Sequence, residues 1–183
     1  MKRAFLSEFI KERKMVGAIA PSSKFLMRKM LKKIDFSKDL NIIELGPGTG
    51  IFTAEILNRM TDKSNLFSFE INTTFYDQLN SKFQDKRIRV INDSAEKMSY
   101  YLSKEKIQKA HVVISSLPLA VIPNEVKENI LNSVVAILDQ NGTYVQFQYS
   151  LNAKKLLQSK FENIDIQFTP LNLPPAFVYN CSN

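Results

Sequence analysis

The 183-residue sequence has few of the residues that build disulfide frameworks and metal centres. It contains one cysteine, Cys181, one histidine, His111, and no tryptophan. A single cysteine cannot form an internal disulfide, which fits a reducing cytoplasm. With no cluster of cysteine and histidine, the sequence argues against a zinc site, and we expect no metal.

Long hydrophobic runs are also absent from the sequence. No stretch of about 18 apolar residues occurs, so we predict no membrane-spanning segment. The basic N-terminus is not followed by the apolar core of a signal peptide, because charged residues interrupt it between Glu8 and Lys14. We expect a cytoplasmic protein of one domain, with residues 1–34 forming basic amphipathic helices and residues 35–183 the main body.

Glycine is scarce, and its placement is informative. Three of the five glycines, Gly46, Gly48 and Gly50, lie within the seven residues from Glu44 to Gly50, directly after an apolar run at 40–43. Glycine permits positive φ and close approach of the backbone to a ligand. The spacing G-x-G-x-G differs from the G-x-G-x-x-G of pyrophosphate-binding loops. A carboxylate just before it suits a cationic sulfonium ligand, which favours S-adenosylmethionine (SAM). The cofactor-binding residues predicted here are Glu44, Gly46, Pro47, Gly48 and Gly50.

The positive charge is confined to the start of the chain. Residues 1–33 hold ten lysines and arginines against two acids, a balance of +8. The remaining residues hold 15 bases and 16 acids, a balance of −1. An anionic partner is therefore expected at residues 1–33.

Hydrophobic periodicity predicts an alternation of strands and helices. After two N-terminal helices at 4–16 and 23–34, the pattern favours a doubly wound, mostly parallel α/β sheet of the Rossmann-like kind. Two last strands at 164–168 and 176–179, joined by a short proline-rich loop, are expected to pair as an antiparallel hairpin. We predict strands at 40–45, 65–70, 88–92, 110–116 and 142–149, and helices at 51–60, 73–84, 95–104 and 124–138.

Acidic residues end three successive strands, and together with the glycine loop they resemble the class I SAM-dependent methyltransferases. Glu44 to Gly50 resembles the first motif of that family. Phe67 to Glu70 resembles the second, which implies that Glu70 binds the ribose hydroxyls. Asn92-Asp93-Ser94 resembles the third, which implies that Asp93 accepts a hydrogen bond from the adenine amino group. The resemblance implies a seven-stranded sheet and adds Glu70, Ile71, Asp93, Ser94 and Ser115 to the cofactor-binding residues.

The segment Ser116-Leu117-Pro118-Leu119 follows the fourth strand, where this fold faces the transferring methyl group. Enzymes that methylate an adenine amino group carry Asn or Asp, then proline, then an aromatic that stacks on the base. This chain has a hydroxyl and a leucine instead. Four segments resemble bacterial soluble-type phospholipid N-methyltransferases: Val16 to Ser22, Ser115 to Leu119, Val145 to Tyr149 and Pro174 to Val178.

This second resemblance implies methyl transfer to the headgroup amine of phosphatidylethanolamine-type phospholipids. Ser116, Pro118 and Tyr149 are the candidate catalytic residues, whereas His111, at the start of its strand, is interpreted as structural. The basic residues 1–33 are expected to bind an anionic membrane surface, so that the protein associates peripherally with the inner face of the membrane. Two alternatives stay open: an adenine N6-methyltransferase acting on ribosomal RNA, and a non-catalytic SAM-binding, membrane-associated module.

Overall fold

A seven-stranded sheet with helices on both faces forms the protein. The computed structural model describes residues 22–183, so the predicted helix at 4–16 lies outside the described residues. The strands are β1 (Asn41–Leu45), β2 (Asn65–Phe69), β3 (Ile88–Ile91), β4 (Ala110–Ser115), β5 (Leu138–Gln148), β6 (Asn163–Thr169) and β7 (Ala176–Ser182). The helices are α1 (Ser22–Leu31), α2 (Ile51–Arg59), α3 (Thr73–Lys82), α4 (Met98–Lys104), α5 (Asn124–Ile137) and α6 (Lys154–Gln158), with a 3₁₀ turn at Ala95–Lys97.

The sheet order is β3-β2-β1-β4-β5-β7-β6. β1 lies between β2 and β4, and the five strands β1 to β5 run parallel to one another. The central strands β1 and β4 are buried on both faces, which is why each is mostly apolar in the sequence. The doubly wound sheet predicted from the alternation is confirmed.

The last two strands form the predicted antiparallel pair. β7 lies between β5 and β6 and is antiparallel to both. Gln148 at the end of β5 pairs with Phe177, and Thr169 at the end of β6 pairs with Ala176. The loop between β6 and β7 therefore lies at the same edge of the sheet as the carboxyl ends of the parallel strands.

The structure differs from the predicted elements in three places. β5 begins at Leu138, directly after α5, where the turn-like residues 139–142 led us to begin it later. Its pairing with β4 shifts register between Ala110 and Val112, which accommodates the additional residues. The predicted helix at 95–104 is divided into a 3₁₀ turn and α4, and α6 was not predicted because five residues are too few for a periodic signal.

The core consists of two layers, one on each face of the sheet. Neighbouring strand residues alternate between them: Ile43 packs in the layer under α4 and α5, and Ile42 in the layer under α1 and α2. Cys181 lies in the first of these layers with no exposed surface, and burial raises the pKa of its thiol to about 12. Helix α1 covers β5, β6 and β7 on the other face.

Arg87 joins the end of α2 to the start of β3. Its guanidinium donates to the backbone carbonyls of Met60 at 2.8 Å and Leu57 at 3.0 Å, which satisfies carbonyls that the helix end leaves unpaired. It also pairs with Asp85 at 2.7 Å, and the hydrogen bonds from the Arg87 side chain and N–H lower the pKa of that carboxyl to about 2. A cation at a helix C-terminus is additionally favoured by the helix dipole.

We expect Arg87→Met to lower the free energy of unfolding by about 2–3 kcal/mol, because it leaves two helix carbonyls and one carboxylate without this donor. Urea denaturation followed by circular dichroism measures the loss. Arg89→Met is the matched control, since Arg89 lies two residues further along the chain and its side chain is 43% exposed, and it should cost about 0.5 kcal/mol or less. Equal losses in the two variants would contradict this role for Arg87.

Candidate active site

The glycine loop follows β1 at the carboxyl edge of the sheet. All three of its glycines have positive φ, with values of 73° at Gly46, 58° at Gly48 and 78° at Gly50. A Cβ atom on Gly50 would lie 2.6 Å from the Phe83 ring and 2.7 Å from Leu79. The loop thus requires glycine at position 50 both for its backbone conformation and because α3 and the residue after it pack closely on it.

Glu44 is buried beneath the glycine loop, with 1% of its surface exposed. Its Oε2 accepts hydrogen bonds from the hydroxyl of Thr53, at 2.7 Å, and from the hydroxyl of Ser68. Burying a carboxylate is costly unless hydrogen bonds replace its hydration. These two donors therefore tie β1 to α2 and β2, and the predicted contact between Glu44 and the cofactor stays a prediction.

Glu70 follows β2 and joins two loops through its carboxylate. Oε2 accepts the N–H of Gly48 at 3.1 Å, and Oε1 accepts the N–H of Asn72 at 2.9 Å. Asn72 in turn caps α3 by accepting the N–H of Phe75. The residue is 1% exposed, and backbone donors hold its carboxyl group at the base of the site.

Asp93 follows β3, and side chains from α4 and its neighbourhood surround it. It accepts from the Lys97 ammonium at 3.0 Å, from the Tyr101 hydroxyl at 3.0 Å and from the Ser94 N–H at 2.8 Å. Burial raises its pKa, but these hydrogen bonds outweigh burial and lower it below the usual value. Asp93 is therefore an ionised acceptor. Ser94 caps the 3₁₀ turn by accepting the N–H of Glu96.

A cleft of about 450 Å³, open to solvent, lies over the ends of β1, β2, β3 and β4. Four of the predicted cofactor-binding residues line it, namely Gly46, Glu70, Ile71 and Ser94, and apolar side chains of α5 form its wall. Its lining is mostly apolar with a few polar groups, which is typical of small-molecule sites. The residues predicted from three separate motifs therefore come together in one place.

The segment after β4 is held against the sheet on its inner side. The Ser116 N–H donates to the carbonyl of Leu45 at 2.9 Å, and the buried Ser115 hydroxyl accepts the Leu117 N–H at 3.3 Å. Leu117 lines the cleft. Leu119 is 2% exposed and packs in the core, so the side chain at this position is a core residue and not part of the open site.

A family model described as "Ribosomal RNA adenine dimethylase" matches residues 8–162. The chain belongs to this family. Its fold and family together make it a class I SAM-dependent methyltransferase, as the motifs predicted.

Individual relatives of this dimethylase-family protein divide between lipid and RNA. A protein named ornithine lipid N-methyltransferase, from Singulisphaera acidiphila, is 27% identical over 179 residues, which are 97% of this chain and 93% of that protein. A protein named ribosomal RNA small subunit methyltransferase A, from a Sulfurihydrogenibium species, is 39% identical over 74 residues, only 40% of this chain and 28% of that protein.

The fold of the dimethylase-family protein recurs in solved methyltransferases. The crystal structure of the 1,6-didemethyltoxoflavin-N1-methyltransferase of Burkholderia thailandensis, with 1,6-didemethyltoxoflavin and S-adenosylhomocysteine bound, matches with a TM-score of 0.72. The match covers 99% of this chain and 87% of that one, at 11% identity. At this identity the likeness shows the shared fold alone.

Tyr149 and His111 do not line the cleft. Tyr149 directly follows β5 at the carboxyl edge, is 39% exposed and makes an edge contact with the Phe147 ring. His111 lies at the opposite edge, where its Nδ1 accepts the Asn41 N–H at 2.9 Å, in keeping with its interpretation as structural. Within residues 22–183, no group of acidic, histidine or cysteine side chains is placed to hold a metal ion. None of the helices in that range has the length and apolar character to cross a membrane.

Two glutamines that sequence reasoning missed fix the segment after β4. The side-chain amides of Gln146 and Gln148 donate to the carbonyl of Leu117 at 3.0 and 2.8 Å. The buried Tyr144 hydroxyl donates to Gln146 at 2.6 Å. Gln146 and Gln148 alternate with Val145 and Phe147, so both glutamines lie on the same face of β5, but this alternation does not identify their partners. These side chains are positioning residues for the loop that borders the cleft.

We expect Gln148→Leu to reduce the rate of methyl transfer about tenfold, because the Leu117 carbonyl loses a donor and the loop shifts. Cofactor affinity, measured by calorimetry, should change little, since Gln148 does not line the cleft. Gln167→Leu on β6 is the matched control and should leave both quantities unchanged. A loss of cofactor affinity equal to the loss of rate would contradict a role for Gln148 in positioning the segment after β4 towards the methyl acceptor.

Proposed function

We propose that the protein transfers methyl groups from SAM to the headgroup amine of a membrane lipid, with phosphatidylethanolamine-type phospholipids as the acceptor. The observation that carries this proposal is the loop Ser116 to Leu119. It has neither the carboxamide nor the aromatic ring that adenine methylation calls for, and Leu119 is committed to the core. The near end-to-end similarity to a lipid N-methyltransferase supports the same acceptor class.

The cleft fits SAM. It offers a glycine loop for close backbone approach at Gly46, a buried carboxylate at Glu70 and apolar surface from Ile71 and α5. Both oxygens of a carboxylate accept from a vicinal diol, so Glu70 would bind the ribose hydroxyls, while Ile71 and Ser94 would border the adenine. When bound, SAM supplies an electrophilic methyl group on a sulfonium centre. The residues of this chain contribute alignment and electrostatics.

The acceptor amine must lose a proton before it attacks. A headgroup ammonium has a pKa of about 10, close to that of lysine, so roughly one molecule in a thousand is neutral at pH 7. A site that partly desolvates the amine favours the neutral form. Ser116, which follows β4, and Tyr149, which follows β5, are our candidates for contacting the amine, and Pro118 would restrain the segment after β4.

Membrane association is the second part of the proposal. Each basic residue near an anionic bilayer contributes about 1 kcal/mol to binding, so residues 1–33 would hold the protein at the inner face without a spanning segment. An RNA substrate is the alternative, favoured by the 39% identity of one segment to an RNA methyltransferase. The same basic residues would then contact phosphates. A SAM-binding module without catalysis is the third reading.

Incubation with methyl-labelled SAM separates these functions. Parallel reactions contain phosphatidylethanolamine vesicles, ornithine-lipid vesicles or ribosomal RNA, and we expect label in the phosphatidylethanolamine. Label in ornithine lipid alone would move the acceptor to that lipid. Label in RNA alone would overturn lipid methylation, and label in none of them would favour the non-catalytic module.

Glu70→Gln is expected to weaken SAM binding by about ten- to a hundredfold, since a charged acceptor becomes a neutral amide. Isothermal calorimetry measures the affinity, and thermal unfolding confirms that the variant folds. Glu105→Gln, an exposed carboxylate near the start of β4, is the control and should bind like the wild type. Unchanged affinity in a folded Glu70→Gln protein would remove Glu70 from the cofactor site.

A further inference from the structure

Exposed apolar side chains are concentrated at one end of the carboxyl edge. Five large ones lie there, after β5, near the end of β6 and in the loop after β6: Tyr149, Leu151, Phe168, Leu171 and Leu173. Leu171 is 64% and Leu173 is 81% exposed. We call these five residues the apolar rim. Single exposed apolar residues are ordinary, but a group of this kind marks an interaction site.

The β6–β7 loop is built to hold its leucines outward. Asn172, between them, is 5% exposed and donates from Nδ2 to the carbonyl of Pro174 at 2.6 Å. Its N–H donates to the carbonyl of Thr169 at 3.4 Å. Because Asn172 is turned inward and fixed, Leu171 and Leu173 on either side are directed to solvent. No charged side chain occurs anywhere in residues 166–183, so the loop has an apolar tip that a lipid phase accepts.

A basic surface adjoins this loop. Lys29 of α1 donates to the carbonyl of Phe168 at 2.9 Å, and Lys33 pairs with Asp165 at 2.7 Å. The two contacts show that α1 runs antiparallel to β6, so its first turns extend towards the apolar rim. Those turns carry the exposed Lys24 and Arg28. Residues 22–33 contain five basic residues and no acid, and we call them the basic flank.

We propose that the apolar rim and the basic flank together bind the surface of an anionic lipid bilayer, with Leu171 and Leu173 inserted among the acyl chains. Charge complementarity selects this occupant: lipid phosphates attract the basic flank while the hydrocarbon accepts the leucines. A second copy of the chain would bring another basic flank against the first and be repelled. Nucleic acid would satisfy the charges but leave the leucines in water.

This docking surface rests on the proposed function and specifies how the protein would be oriented on the membrane. Gln148 pairs with Phe177, so the rim lies beside the end of β5, where Tyr149 follows. A bilayer bound at the rim would present lipid headgroups at the part of the carboxyl edge where Tyr149, our candidate for contacting the amine, lies. The docking surface shares the basic residues 22–33 with the proposed membrane association and adds the apolar rim to them.

The absence of tryptophan from the sequence makes the insertion directly measurable. Leu173→Trp places a single tryptophan in the full-length protein at the tip of the rim. Tyr100→Trp, at a 53% exposed position of α4 on the β3 side of the sheet, is the matched control. With phosphatidylglycerol-containing vesicles we expect blue-shifted emission, and quenching by brominated acyl chains, for Leu173→Trp only.

Three outcomes of this experiment would overturn the proposal. One is vesicle binding without quenching of the tryptophan at 173, which would assign attachment to other residues. Another is an emission shift that depends on protein concentration without lipid, which would make the rim a contact between copies. The third is an equal shift with RNA in place of vesicles.

A double variant, Leu171→Asp with Leu173→Asp, tests the energetic contribution of the rim. We expect vesicle partitioning to fall by at least about tenfold, with the thermal unfolding midpoint and SAM affinity unchanged. Tyr100→Asp should bind vesicles normally. Wild-type partitioning by the double variant would contradict insertion. A separate assay tests the proposed function: methyl transfer by the wild-type protein to amine lipids dispersed in detergent. If this transfer is absent while the tryptophan of the Leu173→Trp variant inserts, the proposed function fails and the docking surface stands.

Discussion

The hydrogen bonds to the buried carboxyl group of Glu44 are the interaction on which the glycine loop at the carboxyl edge of the sheet depends. This group is 1% exposed, and the hydroxyls of Thr53 and Ser68 donate to it, which offsets the cost of its burial. Those donors come from the helix that follows the glycine loop and from the neighbouring strand. The glycine loop is therefore fixed between α2 and β2, both of which contact Glu44. Glu70 in turn accepts the N–H of Gly48 in this loop. The positions of the residues at the base of the cleft therefore depend on the two acidic acceptors, Glu44 and Glu70.

Parallel pairing explains why residues distant in the sequence meet. β2, β1 and β4 are adjacent and parallel, so the residues that follow them reach the same edge whatever their separation along the chain. Gln146 and Gln148 of β5 then link this strand to the segment after β4, because both donate to the Leu117 carbonyl. Beyond β5 the sheet turns antiparallel, and the second half of the edge has an apolar rather than a polar border.

Much of this arrangement was predictable from local signals. The glycine loop, the acid ending β2 and the final hairpin have chemical requirements that a few adjacent residues express, and the structure places Gly46, Glu70 and Ser94 in one cleft. The role of Gln146 was not predictable in the same way, because its partners Tyr144 and Leu117 are defined by the pairing of strands. The early start of β5 was missed because the pairing with β4 passes from Leu138 to Thr143, and the residues between them form a local irregularity in which the Asn141 N–H donates to Asp139.

The burial of Cys181 has a practical consequence. It is the only thiol in the sequence, and in the folded protein it is covered completely and has a pKa of about 12. Alkylating reagents act on accessible thiolates, so at neutral pH the native protein offers them no target. A cysteine introduced at any exposed position would be the sole reactive thiol. Spin labels or paired fluorophores can thus be attached to this protein without first removing a native residue.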